Sequence, residues 1–129
     1  MKKKGNKVSD NKSKRYVFVY GTLKEGHGNH SFLRNSIFIG EGATKNKYIM
    51  FKLGIPYVSE KYEHSHIQGE VYKVTPKIMR HIDLLEGHPN WYYRKPVDIV
   101  LEDGKEKLAY IYFNNTMNGS ELIVENGMY

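Results

Sequence analysis

The first apolar run of the chain is YVFVY at residues 16–20, in which β-branched and aromatic side chains follow one another without polar alternation. Such a run is typical of a strand that is buried on both faces. It stops at Gly21, and the polar loop behind it carries Gly26 and Gly28. A glycine loop at a strand end brings backbone N–H groups close to a ligand, although an ordinary tight turn has the same pattern.

Six more apolar runs are bounded or broken by glycine, proline or charged residues, which is typical of short strands. They cover residues 37–43, 48–53, 55–59, 67–74, 97–101 and 107–113. Gly69 lies inside the fourth run and predicts a bulge or the close approach of another backbone. The last two runs flank EDGKE, whose Asp103-Gly104 pair predicts a hairpin with a type I′ turn.

Residues 75–86 have the clearest helical pattern. Thr75 is a suitable N-cap, and Pro76 suits the first helical position. Apolar residues recur on one face at Ile78, Ile82 and Leu85. Gly87 then ends the helix. The pattern therefore predicts one amphipathic helix late in the chain.

A shorter helix is predicted after the first strand, where Asn29 is the N-cap and the helix continues through Phe32 and Leu33. The elements together predict an α+β fold. We expect a small single domain, a mixed β-barrel or curled sheet with one main helix and one short helix, formed by residues 16–129.

The net charge of +6 lies entirely in residues 1–15. That segment, MKKKGNKVSDNKSKR, has seven basic residues and one acidic residue, so residues 16–129 carry 13 of each and are neutral. With one apolar residue after Met1, the segment predicts a disordered, solvated tail. Such a tail is able to touch RNA or anionic lipid, but the neutral remainder disfavours a nucleic-acid-binding domain.

The absence of cysteine excludes thiol nucleophiles, disulfides and cysteine-based zinc sites. The histidines at 27, 30, 64 and 66 lack a carboxylate at a ligand spacing, so we predict no metal site. Neither a signal-peptide pattern nor a membrane-spanning apolar run is present. We therefore expect a cytoplasmic protein without membrane association.

Glu86 has an unusual position for a carboxylate, in the last turn of the predicted helix. The negative end of the helix dipole disfavours its charged form, and burial beside Ile82 and the aromatic residues 91–93 raises its pKa in the same direction. A carboxyl group with a raised pKa is suited to general base and acid catalysis near neutral pH. A solvent-exposed glutamate at a frayed helix end is the alternative.

The loop after the first strand is the second candidate functional site. Successive N–H groups of Gly21, Thr22 and Leu23 are able to form a concave site for an anion or an oxyanion. A tight turn with a helix behind it is the alternative for these residues.

The two places together resemble the gamma-glutamylcyclotransferase-like superfamily. YGTLKEGHGNH follows the first strand, and DLLEGHPNWYYR lies at the end of the helix. They are similar to the gamma-glutamylamine cyclotransferase and avirulence-induced-gene-like branch, whose members have YGTL, a glycine, NH, and later D-x-x-E-G with Y-x-R nearby. GIPYV, AYIYF and ENGMY are also similar to segments of this family, and the resemblance covers residues 16–129.

The resemblance implies a β-barrel fold in which Glu86 is the catalytic carboxylate. It implies a substrate-binding loop of Tyr20, Gly21, Thr22 and Leu23. In the Y-x-R region, Tyr93 is a candidate substrate-binding residue, and Arg94 is a candidate partner for Asp83.

The implied reaction is the attack of a γ-glutamyl α-amine on its own γ-carbonyl, which releases 5-oxoproline and an amine. Glu86 is the general base and acid, the partner is a small γ-glutamyl molecule, and no cofactor or metal is needed. The motifs leave the identity of the amine open. Two alternatives are a pocket that binds an amino-acid-like molecule without turnover, and an RNA-binding protein that works through its tail.

Overall fold

The computed structural model describes residues 16–21, 23–116 and 122–129, apart from the side chain of Leu53. Their strands are β1 (Tyr16–Val19), β2 (Ile37–Leu53), β3 (Ile55–Ser59), β4 (Ser65–Lys73), β5 (Tyr93–Leu101), β6 (Glu106–Phe113) and β7 (Leu122–Ile123). The same ranges contain the α-helix α1 (Pro76–Glu86) and a 3-10 helix (His30–Leu33). Neither of these helices is long and apolar enough to cross a membrane. The predicted tail 1–15 lies outside the described residues.

Five of these strands close into a barrel. Around it, β1 pairs with β4, β4 with β2, β2 with β5, β5 with β6, and β6 with β1. The β1–β6 pair is parallel and the other four are antiparallel, so the barrel is mixed. Strands β3 and β7 pair with the C-terminal part of β2. The predicted α+β fold with a mixed barrel and one main helix is confirmed.

The predicted strands 37–43 and 48–53 are a single strand, β2, and the predicted interruption between them is wrong. The chain stays extended because β2 shifts its register against β4 twice, between Phe38 and Gly40 and between Ala43 and Lys47. Such irregularities bend a strand without ending it. The bend allows β2 to pair with β4 and β5 through its first part and with β3 through its second, which helps to close the barrel.

Strand β1 is buried on both faces, as its unbroken apolar pattern predicts. Val17 and Val19 pack in one core cluster with Ile82 of α1. Phe18 and Tyr20 belong to a second cluster, formed mainly by the barrel strands. Because successive side chains of a strand point to opposite faces, β1 separates a helix-facing layer from the barrel interior.

Gly69 on β4 lies directly against the end of β1. A Cβ atom at this position would be 2.3 Å from the backbone oxygen of Val19. The predicted close approach is therefore confirmed, and it fixes β4 beside the point where the glycine loop begins.

The β5–β6 hairpin has a different turn from the predicted type I′. The N–H of Gly104 donates to the oxygen of Leu101 at 2.9 Å, and the N–H of Leu101 donates to the oxygen of Lys105 at 2.8 Å. Gly104 has a φ of 87°, but Asp103 does not have the positive φ that a type I′ turn also requires. A type I turn followed by a left-handed glycine accounts for this geometry.

The short helix after β1 is a single 3-10 turn, and Asn29 makes no side-chain capping bond to it. Asn29 therefore occupies the predicted N-cap position but does not cap the turn through its side chain. His30 instead fixes the start of the turn, since its Nδ1 lies 3.0 Å from the backbone oxygen of Leu23. This contact ties the turn to the loop that leaves β1.

Candidate active site

Helix α1 begins and ends where its sequence predicts. The Thr75 hydroxyl accepts a hydrogen bond from the N–H of Ile78 at 3.1 Å, which caps the first turn. Gly87 is left-handed with a φ of 70°. The N–H of His88 donates to the oxygen of Asp83 at 2.9 Å, which closes the helix in a Schellman motif. Glu86 is thereby fixed as the last helical residue.

The chain after Gly87 folds back onto the helix end. The N–H of Trp91 donates to the oxygen of Gly87 at 2.8 Å, and the N–H of Tyr92 donates to the oxygen of Glu86 at 3.1 Å. Tyr92 is consequently buried, with 6% of its surface exposed, whereas Trp91 is 61% exposed. Of the aromatic residues predicted to cover Glu86, Tyr92 has this role.

A cleft lies between the end of α1 and the end of β1. It contains about 430 Å³ of space not filled by atoms, its open mouth included. The lining residues are Phe18, Val19, Tyr20, Gly21, Leu23, Ile55, Pro56, Glu86, Tyr92 and Tyr112. The structure therefore brings the predicted carboxylate together with three of the four predicted loop residues; Thr22 lies outside the described residues.

The carboxyl group of Glu86 makes no hydrogen bond or ion pair with any described residue. Burial raises its pKa from the ordinary value of 4.5 to about 7. The direction is the one that the sequence predicts, and loss of hydration is its cause. At neutral pH, this group is therefore able both to accept and to return a proton.

Three tyrosine hydroxyl groups surround the cleft. Tyr20 donates to the backbone oxygen of Tyr112 at 2.8 Å, and the Tyr112 hydroxyl donates to Oδ1 of Asp83. Burial raises the pKa of Tyr20, Tyr92 and Tyr112, and the charge of Glu86 adds to the rise in each case. All three hydroxyl groups therefore stay protonated at neutral pH.

Asp83 connects the end of α1 to the barrel. Its carboxylate accepts two hydrogen bonds from Arg94, at 2.8 Å from Nε and 3.1 Å from Nη2. The predicted Asp83–Arg94 pair is therefore confirmed. Because Asp83 lies one turn before Glu86 and also binds Tyr112, this contact holds the catalytic candidate over the cleft.

The glycine loop packs closely against β3. A Cβ atom at Gly21 would lie 3.0 Å from Cγ of Pro56, so a larger residue would displace the loop. The N–H of Lys24 donates to the oxygen of Gly21 at 3.0 Å and closes a turn. Among the described residues, no backbone oxygen accepts a hydrogen bond from the N–H of Gly21 or Leu23.

Tyr93 does not line the cleft. Its hydroxyl donates to Glu60 and accepts from Asn115 at 2.8 Å, and its ring packs against Phe113. The neighbouring Tyr92 lines the cleft instead. Its signal in the sequence is its place as the first residue of the Y-x-R motif, directly before Tyr93.

Two further cleft residues, Pro56 and Tyr112, are not predicted as site residues from the sequence. They lie in GIPYV and AYIYF, the segments that carry part of the family resemblance. Pro56 has no polar side chain that would mark it as a site residue. Tyr112 lies far along the chain from both the helix end and the glycine loop.

The barrel and the cleft define a small α+β protein with a carboxyl group in a cleft between the first strand and the helix. The chain belongs to the family described as gamma-glutamyl cyclotransferase, AIG2-like, whose model matches residues 17–129. The resemblance seen in the sequence is confirmed, and the protein is an enzyme of this family.

Several relatives share most of the chain. The protein named "Putative gamma-glutamylcyclotransferase MJ1514" in Methanocaldococcus jannaschii is 52% identical, over 88% of this chain and 94% of its own. A gamma-glutamylaminecyclotransferase C of Danio rerio is 33% identical, over 78% of this chain and 75% of its own. An AIG2-like protein of Mus musculus superimposes with a TM-score of 0.77 at 25% identity, covering 89% of this chain and 87% of its own.

Proposed function

We propose that the protein is a gamma-glutamyl cyclotransferase, which releases 5-oxoproline and an amine from a γ-glutamyl amide. The observation that carries the proposal is the half-buried Glu86 carboxyl, which has no partner among the described residues and lies in a cleft beside the glycine loop. Relatives with names of this activity support the same reaction.

Glu86 is the general base and acid in this proposal. The substrate α-amine arrives as an ammonium group and must lose a proton before it can attack, and the carboxylate accepts that proton. The amine nitrogen then bonds to the γ-carbonyl carbon, and the carbonyl electron pair moves to oxygen. When the amide C–N bond breaks, the Glu86 acid returns its proton to the departing nitrogen, which would otherwise be a poor leaving group. The regenerated carboxylate then takes the second proton from the ring nitrogen and passes it to the released amine, which leaves as an ammonium group.

The loop of Tyr20, Gly21, Thr22 and Leu23 is proposed to bind the substrate. The available N–H groups suit either the α-carboxylate or the negative oxygen that develops during attack. Tyr20 fixes the start of the loop through its bond to the Tyr112 backbone. Holding the amine and the carbonyl in contact supplies much of the rate, because oriented ring closures have effective molarities of about 10⁵–10⁸ M.

The test is 5-oxoproline release from a panel of γ-glutamyl compounds, including γ-glutamyl-ε-lysine, γ-glutamyl amino acids and glutathione. We expect the wild type to release product and Glu86→Gln to lose at least 10³-fold in kcat while still binding substrate, because the amide has no useful proton affinity. Glu102→Gln, a change at an exposed glutamate, is the matched control and should retain activity.

The result also separates an enzyme from a binding protein. A wild type that binds γ-glutamyl compounds but releases no 5-oxoproline from any of them would refute the proposal and favour the non-catalytic alternative. Equal turnover by the wild type and Glu86→Gln would show that another group is the base.

A further inference from the structure

The three hydroxyl groups around the cleft are not equivalent. The hydroxyl of Tyr20 donates its hydrogen bond to a backbone oxygen, and the hydroxyl of Tyr112 donates to Asp83. A hydroxyl group has one proton to donate, so neither is able to donate to a substrate without breaking an internal bond.

Tyr92 differs from the other two tyrosines. Although only 6% of its surface is exposed, its hydroxyl forms no hydrogen bond with any described residue. Tyr92 also lines the cleft together with Glu86. Of the three hydroxyl groups, that of Tyr92 is therefore the one whose proton no described group accepts, and a hydroxyl group in this position can donate to a ligand in the cleft.

The position of Tyr92 relative to Glu86 is fixed by the backbone. The N–H of Tyr92 donates to the oxygen of Glu86 at 3.1 Å, and both side chains line the cleft. The attacking nitrogen and the γ-carbonyl must come within about 3–3.5 Å of each other for ring closure. A base that holds the nitrogen therefore requires a donor for the carbonyl oxygen close beside it.

We propose that Tyr92 is a catalytic residue whose O–H donates a hydrogen bond to the γ-carbonyl oxygen of the substrate; this inference rests on the proposed cyclotransferase reaction. As the α-nitrogen bonds to the carbonyl carbon, the electron pair moves onto the oxygen that Tyr92 holds. Tyr92 keeps its proton, and the pair returns to form the lactam carbonyl when the leaving C–N bond breaks. The N–H groups of Gly21 and Leu23 are then left for the α-carboxylate.

Tyr92→Phe and Tyr93→Phe form a matched pair, since each removes one hydroxyl from adjacent tyrosines. We expect Tyr92→Phe to lower kcat by about 10²–10³-fold, the usual effect of removing one oxyanion donor, and to change KM by less than tenfold. The loss should be similar for every leaving amine, because the carbonyl oxygen is common to all substrates. Tyr93→Phe should stay within threefold of the wild type.

Product binding gives a second readout that does not depend on turnover. The lactam oxygen of 5-oxoproline is the former γ-carbonyl oxygen, and proline lacks it. Tyr92→Phe should bind 5-oxoproline about 3- to 10-fold more weakly than the wild type, with no change for proline. A thermal midpoint close to that of the wild type would show that the fold is intact, since the lost oxygen bonds to no described residue.

Two results would overturn the assignment of Tyr92 while leaving the cyclotransferase proposal in place. One is an active wild type with equal kcat in Tyr92→Phe and Tyr93→Phe. The other is a loss in Tyr92→Phe that depends on the leaving amine, which would place the hydroxyl on the departing nitrogen. A wild type without any 5-oxoproline release overturns both proposals together.

Discussion

At the scale of the residue, the raised pKa of Glu86 lowers the stability of the folded protein at neutral and higher pH. This pKa rises from 4.5 to about 7 on folding because the carboxyl loses hydration and gains no partner among the described residues. Between these pH values the folded state binds the proton and the unfolded state releases it, so this residue's contribution to stability falls as the pH rises. Above about pH 7 the charged carboxylate destabilises the folded state by roughly 3 kcal/mol, at about 1.4 kcal/mol for each pKa unit.

Replacing Glu86 by Gln should therefore stabilise the protein in a pH-dependent manner. The amide keeps the shape of the side chain and never becomes charged. We expect Glu86→Gln to unfold with a free energy about 2–3 kcal/mol higher than that of the wild type at pH 8, and with nearly the same value at pH 4.5. Urea denaturation at the two pH values measures the difference. If the free energies of unfolding of the two proteins differ by the same amount at both pH values, the burial of charge is not the cause.

At the scale of the element, the end of α1 is held by a single acidic residue. Asp83 binds both Arg94 and Tyr112, and the side chains of Asp83 and Arg94 are 17% and 27% exposed. Removing one partner of a buried pair is strongly destabilising because the other charge remains uncompensated. The partial exposure of this pair reduces the expected effect.

Asp83→Asn should lower the free energy of unfolding by about 1–3 kcal/mol and should also reduce kcat, because the last turn of α1 carries Glu86. Arg94→Lys should not reproduce the wild type, since an ammonium group cannot form the two parallel bonds of a guanidinium. The matched control is Glu106→Gln, which breaks the exposed Lys45–Glu106 pair and should cost less than about 1 kcal/mol. Urea denaturation measures the change in stability, and 5-oxoproline release measures the change in kcat. If Glu106→Gln lost as much stability as Asp83→Asn, the special role of the Asp83–Arg94 pair would be contradicted.

The elements also show which features can be read from the sequence. The ends of α1 are predictable because Thr75, Pro76 and Gly87 act on the backbone within one turn. The continuity of β2 cannot be read in this way, since it depends on pairing with β4 and β5, which lie further along the chain. The choice between Tyr92 and Tyr93 is equally non-local: the backbone bond from Tyr92 to Glu86 decides which ring enters the cleft.

At the scale of the whole molecule, barrel closure assembles the site. The loop after β1 and the end of α1 are more than sixty residues apart, and no local pattern places them together. They meet because β1 packs between the barrel interior and the layer that contains Ile82 of α1. A resemblance between the two motifs and a known family therefore predicts this pairing where local patterns do not, but it does not distinguish the hydroxyl group of Tyr92 from those of Tyr20 and Tyr112.

The charge of the molecule leads to the last prediction. Residues 1–15 carry the whole net charge of +6, whereas the cleft is built from residues 18 to 112. Deleting residues 1–15 should therefore leave kcat/KM for γ-glutamyl substrates within about twofold of the full chain and should leave the thermal midpoint unchanged. Any binding to RNA or anionic vesicles at low salt should disappear with the tail, since residues 16–129 are neutral. Loss of 5-oxoproline release on deletion would instead make the tail part of the enzyme, and RNA binding that survives it would place a nucleic-acid surface on the barrel.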